Sequence, residues 1–234
     1  MFPDKWLSEN MNQRKIYYSF QDMPSSEYYN QSTNYPDSSK IRFSKTEIIH
    51  LLIAMSVLTL AFTFAFVGGF SGASTKNILY FLPLAFFAIA TAFVCHEIAH
   101  KYMGQKYGYW SEFRMYPMGL LLALLLGIAT GFVFAAPGAV RIFGNPNLEQ
   151  SGKISVAGPL TNLIIAIIST IIALYTTGHI AYIAFFIAWI NAFLAFFNLI
   201  PLGPLDGTKI FRWNKPIWIT MIIVSLTLFL TPII

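Results

Sequence analysis

The run ILYFLPLAFFAIATAFVC, Ile78–Cys95, carries no charge and ends directly on His96-Glu97-Ile98-Ala99-His100. Eighteen or more apolar residues read as a membrane-crossing helix. Two histidines four apart lie on one face of a helix, so His96 and His100 can hold one metal ion. Glutamate and histidine are costly at the end of such a run, and ionisable groups at membrane depth mark function by default. Zinc is the metal that imidazole pairs suit in non-redox chemistry. Glu97, next to the first ligand, is placed to act as a general base on water that zinc acidifies.

The rest of the chain agrees with a membrane setting. Of 234 residues, 56% are hydrophobic and 11% charged, against about 25% charged in soluble domains. Mean hydropathy is +0.60 and the pI about 9.3. The net charge of +5 comes from basic residues that flank apolar runs. That placement fits anchoring at a bilayer and not nucleic-acid binding. Cys95 is the single cysteine, so no intrachain disulfide is available. Residues 1–43 form a polar segment rich in Asn, Ser, Tyr and Pro, with turns at Pro24 and Pro36. It is expected to be a mobile tail on the inner side, without a signal peptide. Ser44-Lys45-Thr46-Glu47 has the form of a capping box.

Besides Ile78–Cys95, apolar stretches cover Ile48–Phe70, Met118–Ala136, Ile154–Tyr175, Ile180–Ile200 and Pro216–Ile234. The positive-inside rule separates two topologies. If Met118–Ala136 enters and leaves on one side, 14 basic residues lie inside and Lys76 alone lies outside. If it crosses, the division is 9 against 6. The first pattern predicts an all-α membrane protein of five transmembrane helices plus a re-entrant, partly β segment over about 113–143. Strands are expected near Phe113–Met118 and Phe132–Phe143, around a short helix. Pro117, Gly119, Gly127, Gly131, Pro137 and Gly138 supply the breaks. One membrane domain, residues 44–234 with its core at 78–212, follows.

A catalytic zinc takes three protein ligands. Between Lys153 and Lys209 the one charged residue is Asp206. It lies in Asn198-Leu199-Ile200-Pro201-Leu202-Gly203-Pro204-Leu205-Asp206-Gly207, where two prolines exclude a regular helix and Gly207 permits a tight turn. The re-entrant topology puts two crossings between His100 and Asp206, so both reach the same side.

These paired motifs, covering residues 78–212, resemble the site-2 protease family of intramembrane metalloproteases. The resemblance implies His96, His100 and Asp206 as zinc ligands and Glu97 as catalytic base. Gly158-Pro159-Leu160-Thr161-Asn162 is similar to an element opening the family's middle core helix, which implies Asn162 as a donor to the substrate carbonyl or oxyanion. The resemblance further implies a membrane-anchored protein substrate, cut for regulated release; the three-ligand logic predicts one zinc per chain, and the charge count predicts an active site opening on the cytoplasmic side. The family often has a β-hairpin after the His-Glu helix; here that place holds the apolar Met118–Ala136. A membrane transporter or metal-handling protein is the competing class, since intramembrane His and Asp also mark ion paths. No inverted repeat supports it.

Overall fold

Ser44 Oγ accepts from Glu47 N at 3.1 Å, and the Glu47 side chain accepts from Ser44 N in return. This complete capping box starts α1, Lys45–Phe66. The computed structural model describes residues 41–133 and 137–231. The expected tail therefore lies, up to residue 40, outside the described residues, as do the ends of the stretches that include Ala136 and Ile234.

A continuous apolar helix, α2, runs over Thr75–Lys106. Ser74 caps it by accepting from Asn77 N. Pro83 lies inside it, and Ala90–Val94 winds as a π-helical turn immediately before the histidines. Then β1, Trp110–Met115, leads into α3, Pro117–Thr130. Strand β2, Gly138–Phe143, pairs antiparallel with β1, with Phe113 opposite Val140. Helix α4 covers Leu148–Tyr175 and α5 covers Gly178–Leu199. The short α6, Asp206–Trp213, and α7, Lys215–Leu230, complete the order.

Helices α1, α2, α4 and α5 are long and apolar enough to cross a membrane. The stretch predicted as a fifth span is the shorter α7, 16 residues over its described length. α3 has 14 residues, about 21 Å of helix, against roughly 30 Å of hydrocarbon. Because β1 and β2 pair, the segment returns on the side it left, which is the re-entrant geometry. Its β portion starts at Trp110, three residues earlier than the expected strand at Phe113–Met118. Gly127 seats α3 on α1: a Cβ there would meet Ala61 O at 2.6 Å.

The helices pack through small residues. Ala54, Ala61, Ala85, Ala88 and Ala92 are all but fully buried, letting backbones approach as membrane bundles require. Leu52, Leu79, Ile168 and Ile223 remain exposed, the expected state of a face solvated by lipid. A few polar bonds tie the bundle. Asn191 Nδ2 donates to Thr91 Oγ1 at 3.0 Å, and Trp218 Nε1 donates to Leu199 O at 2.7 Å. The second bond fixes the end of α5 just before the Pro-rich connection to Asp206.

Candidate metal centre

The i, i+4 spacing does what helix geometry dictates. His96 and His100 are buried on one face of α2, with their rings edge to face. Their Nε2 atoms lie 2.9 Å apart. Asp206 Oδ2 stands 2.9 Å from His100 Nε2 and 3.3 Å from His96 Nε2. Among the described residues this is the one group of three or more His, Cys, Asp or Glu side chains with ligand spacing, all within 4.8 Å of one another. His50, Cys95 and His179 stand outside it.

The other ring nitrogens decide what these atoms are. His100 Nδ1 is 2.8 Å from Ile154 O, a carbonyl that only accepts. His96 Nδ1 is 3.0 Å from Asn162 Oδ1, and Asn162 Nδ2 donates to Ala92 O at 2.9 Å, which fixes the amide's orientation. Both Nδ1 atoms are therefore donors, so each neutral ring carries a lone pair on Nε2. Two such lone pairs and a carboxylate oxygen converge. One proton can bridge only one pair of the three, whereas a single divalent cation serves all three at once. The space fits too: a Cβ built on Gly158 would lie 2.6 Å from His96 Nε2 and closer still to His100 Nε2. Glycine at 158 leaves the ligand atoms their cradle.

Each partner is placed by its own element. Asn147 accepts from Gln150 N and Gln150 returns the bond, a capping box that starts α4 at Leu148, before the apolar run. Gly158-Pro159 consequently lies inside α4 and does not open it. Pro159 has no N–H for Ser155 O of the preceding turn; one residue earlier, Ile154 O lies 2.8 Å from His100 Nδ1. Asp206 opens α6, and Gly207 sits in that helix, not in a turn. Gly207 is required for approach, since a Cβ there would meet Ile200 O at 2.7 Å and Leu199 closer. Burial raises the Asp206 carboxyl, but the facing His100 and His96 more than reverse this and hold it below the usual carboxylate range.

Glu97 is buried, and its Oε2 accepts from Val140 N of β2 at 3.1 Å. Asn162 is wholly buried, with its amide engaged by His96 and Ala92. Gly158, Ile154 O and Val140 N had no signature in the sequence as contacts of the site. Two are backbone groups, and the third is a missing side chain.

Lone pairs that need a cation, inside a bundle of apolar helices and beside a buried glutamate, place the molecule among membrane metalloproteases. Residues 84–216 match Peptidase family M50, and the chain belongs to that family. A protein of Methanocaldococcus jannaschii, named as a candidate zinc metalloprotease, is 43% identical over 183 residues, 77% of this chain and 91% of its own length. One of Bacillus subtilis, named likewise, is 30% identical over 65% of this chain and 82% of its own. A second M. jannaschii protein, named as a zinc metalloprotease, is 28% identical over 60% of this chain and 37% of its own. No solved structure matches the chain. The protein is a zinc metalloprotease with several apolar helices, integral to a lipid bilayer.

Proposed function

We propose that the protein hydrolyses a peptide bond in or near the transmembrane segment of a membrane-anchored protein, for regulated release. The observation that carries this reading is the convergence of His96 Nε2, His100 Nε2 and Asp206 Oδ2 inside the bundle, one residue from Glu97. In this reading His96, His100 and Asp206 hold one zinc. The ion supplies Lewis-acid chemistry, acidifying water and polarising a carbonyl oxygen. Glu97 takes the proton of the attacking water and delivers it to the leaving amine nitrogen. Val140 N engages Oε2 and leaves Oε1 for that proton. Asn162 holds His96 by accepting from Nδ1; a role at the substrate carbonyl needs its remaining N–H.

The substrate reaches this site extended, because a helical peptide bond is shielded by its own hydrogen bonds. The outer edge of β2, which already presents Val140 N to Glu97, offers an extended chain a strand to pair with. The basic residues favour a cytoplasmic N-terminus and a site opening on that side. Residues 44–234 act as the protease unit, with 1–43 as an inner-side tail.

The test is co-expression with tagged membrane-anchored proteins, comparing wild type with Glu97→Gln. Glu97→Gln is expected to lose about 10²–10⁴-fold in turnover while retaining wild-type zinc. Cleavage by Glu97→Gln at near wild-type rate would sink the assignment and favour a transport or metal-handling role.

A further inference from the structure

Phe113 and Val140 face each other across the hairpin, and the N–H of each is taken by a carboxylate and not by the partner strand. Phe113 N donates to Glu47 Oε1 at 3.0 Å, off the β1 edge. Val140 N donates to Glu97 Oε2 at 3.1 Å, off the β2 edge. One rung is thus gripped on each side by a carboxylate. Glu47 is in turn held by Lys101 Nζ at 2.8 Å, and the same ammonium donates to Ser111 O at 2.6 Å. Lys101 directly follows His100. It lies one turn beyond Glu97 on α2, so both side chains issue from one face of that helix. The hairpin is pressed close to it: a Cβ on Gly104 would meet Ile142 Cδ1 at 2.9 Å and Ser111 Oγ closer.

Glu47 and Lys101 are 0% and 1% exposed. Burying an ion pair costs desolvation, and apolar replacements of similar volume are often neutral or stabilising. Stability alone is therefore a poor reason for this pair. A direct bond of set length between the metal helix and β1 does something an apolar contact cannot: it fixes the height of the rung.

We propose that Glu47 and Lys101 are positioning residues for the peptidase reaction, holding the Phe113–Val140 rung where the Val140 amide orients Glu97. Neither belongs to the metal group. Their effect passes through β1 to β2 and so to the carboxylate. The inference rests on the reading of Glu97 as the base.

The experiment compares two neutral double variants, Glu47→Gln/Lys101→Met and Glu47→Leu/Lys101→Met, with wild type and Glu97→Gln. Zinc content, kcat and KM are measured on a membrane-anchored reporter, with rates normalised to zinc-loaded protein. The doubles carry equal charge and differ in whether Phe113 N keeps an acceptor. Glu47→Leu/Lys101→Met is expected to lose about 10–100-fold in kcat, the scale of a 1 Å misplacement, with zinc retained and KM within about threefold. The Gln double should recover only the part of that loss that comes from the Phe113 acceptor, and its remaining deficit measures the lost Lys101 bonds. Equal kcat in both doubles and wild type, while Glu97→Gln is inactive, overturns this inference alone. Activity in Glu97→Gln overturns the underlying reading, and this inference with it. Should the Leu double fail to fold, Glu47→Asp replaces it: the charge pair survives but the carboxylate is a methylene shorter. Its kcat should fall with zinc and KM kept, and unchanged kcat there is equally fatal.

Discussion

Gly158 and His100 are packed so that no side chain fits between them, and the space a Cβ would take is the space in which the ligand atoms meet. The rings cannot easily retreat, because each Nδ1 is held by its own partner. Gly158→Ala should therefore bind zinc at least about 10-fold more weakly, comparable to loss of an outer-shell ligand contact. Helix content should stay near wild type, since alanine is compatible with a helix interior. Chelator competition and circular dichroism check both halves. Full zinc retention would mean that the site opens around the methyl group.

Asn162→Ala removes the acceptor from His96 Nδ1 and leaves Ala92 O without its donor. Outer-shell partners of ligating histidines typically contribute about 10–100-fold in metal affinity. Zinc titration should show a loss in that range. An unchanged affinity with a fall in kcat alone would instead assign Asn162 to the substrate carbonyl.

Acidification should strip zinc by protonating the histidines and not the aspartate. Asp206 is held below the usual carboxylate range. Its paired, ionised form thus persists as pH falls through ordinary carboxylate values, and is lost only lower still. Imidazoles must be neutral to hold a metal, so protons compete with the ion for them. Zinc content measured after stepwise acidification should fall before the usual carboxylate range is reached. A loss confined to below about pH 4 would contradict this.

The hairpin fold puts the loop after β2 on the side from which β1 departs, and the distribution of basic residues predicts the N-terminus there too. Cysteines at Ser8 and Asn147, introduced singly with Cys95→Ser, should react with an impermeant thiol reagent from the same side. Opposite accessibility would require α3 to cross the bilayer.

What the sequence disclosed and what it hid separate along a physical line. His96, His100 and Asp206 could be paired because spacing on a helix and parity of crossings are properties of the linear chain. The re-entrant stretch was legible because Lys and Arg record which side a loop lies on. The start of α4 at Leu148 precedes the apolar run beginning at Ile154, so hydropathy does not mark it, although Asn147 and Gln150 have capping chemistry. Gly207 suggested a turn, yet it serves close packing against Leu199, which is a tertiary fact. Glu47 was read as a capping residue, which it is. Its bonds to Lys101 and Phe113 span 54 and 66 residues, and no local pattern announces them.

His100 and Asp206 lie 106 residues apart in the chain and 2.9 Å apart in space. A metal shared between them is a cross-link closing that long loop, in a protein whose single cysteine can form no internal disulfide. The unfolded chain holds no such site, so the free energy of binding the metal adds to the stability of the fold. With zinc held there, the ion would be both the reagent and the rivet, and a cell short of it would face a protease that is not only idle but easier to unfold and degrade.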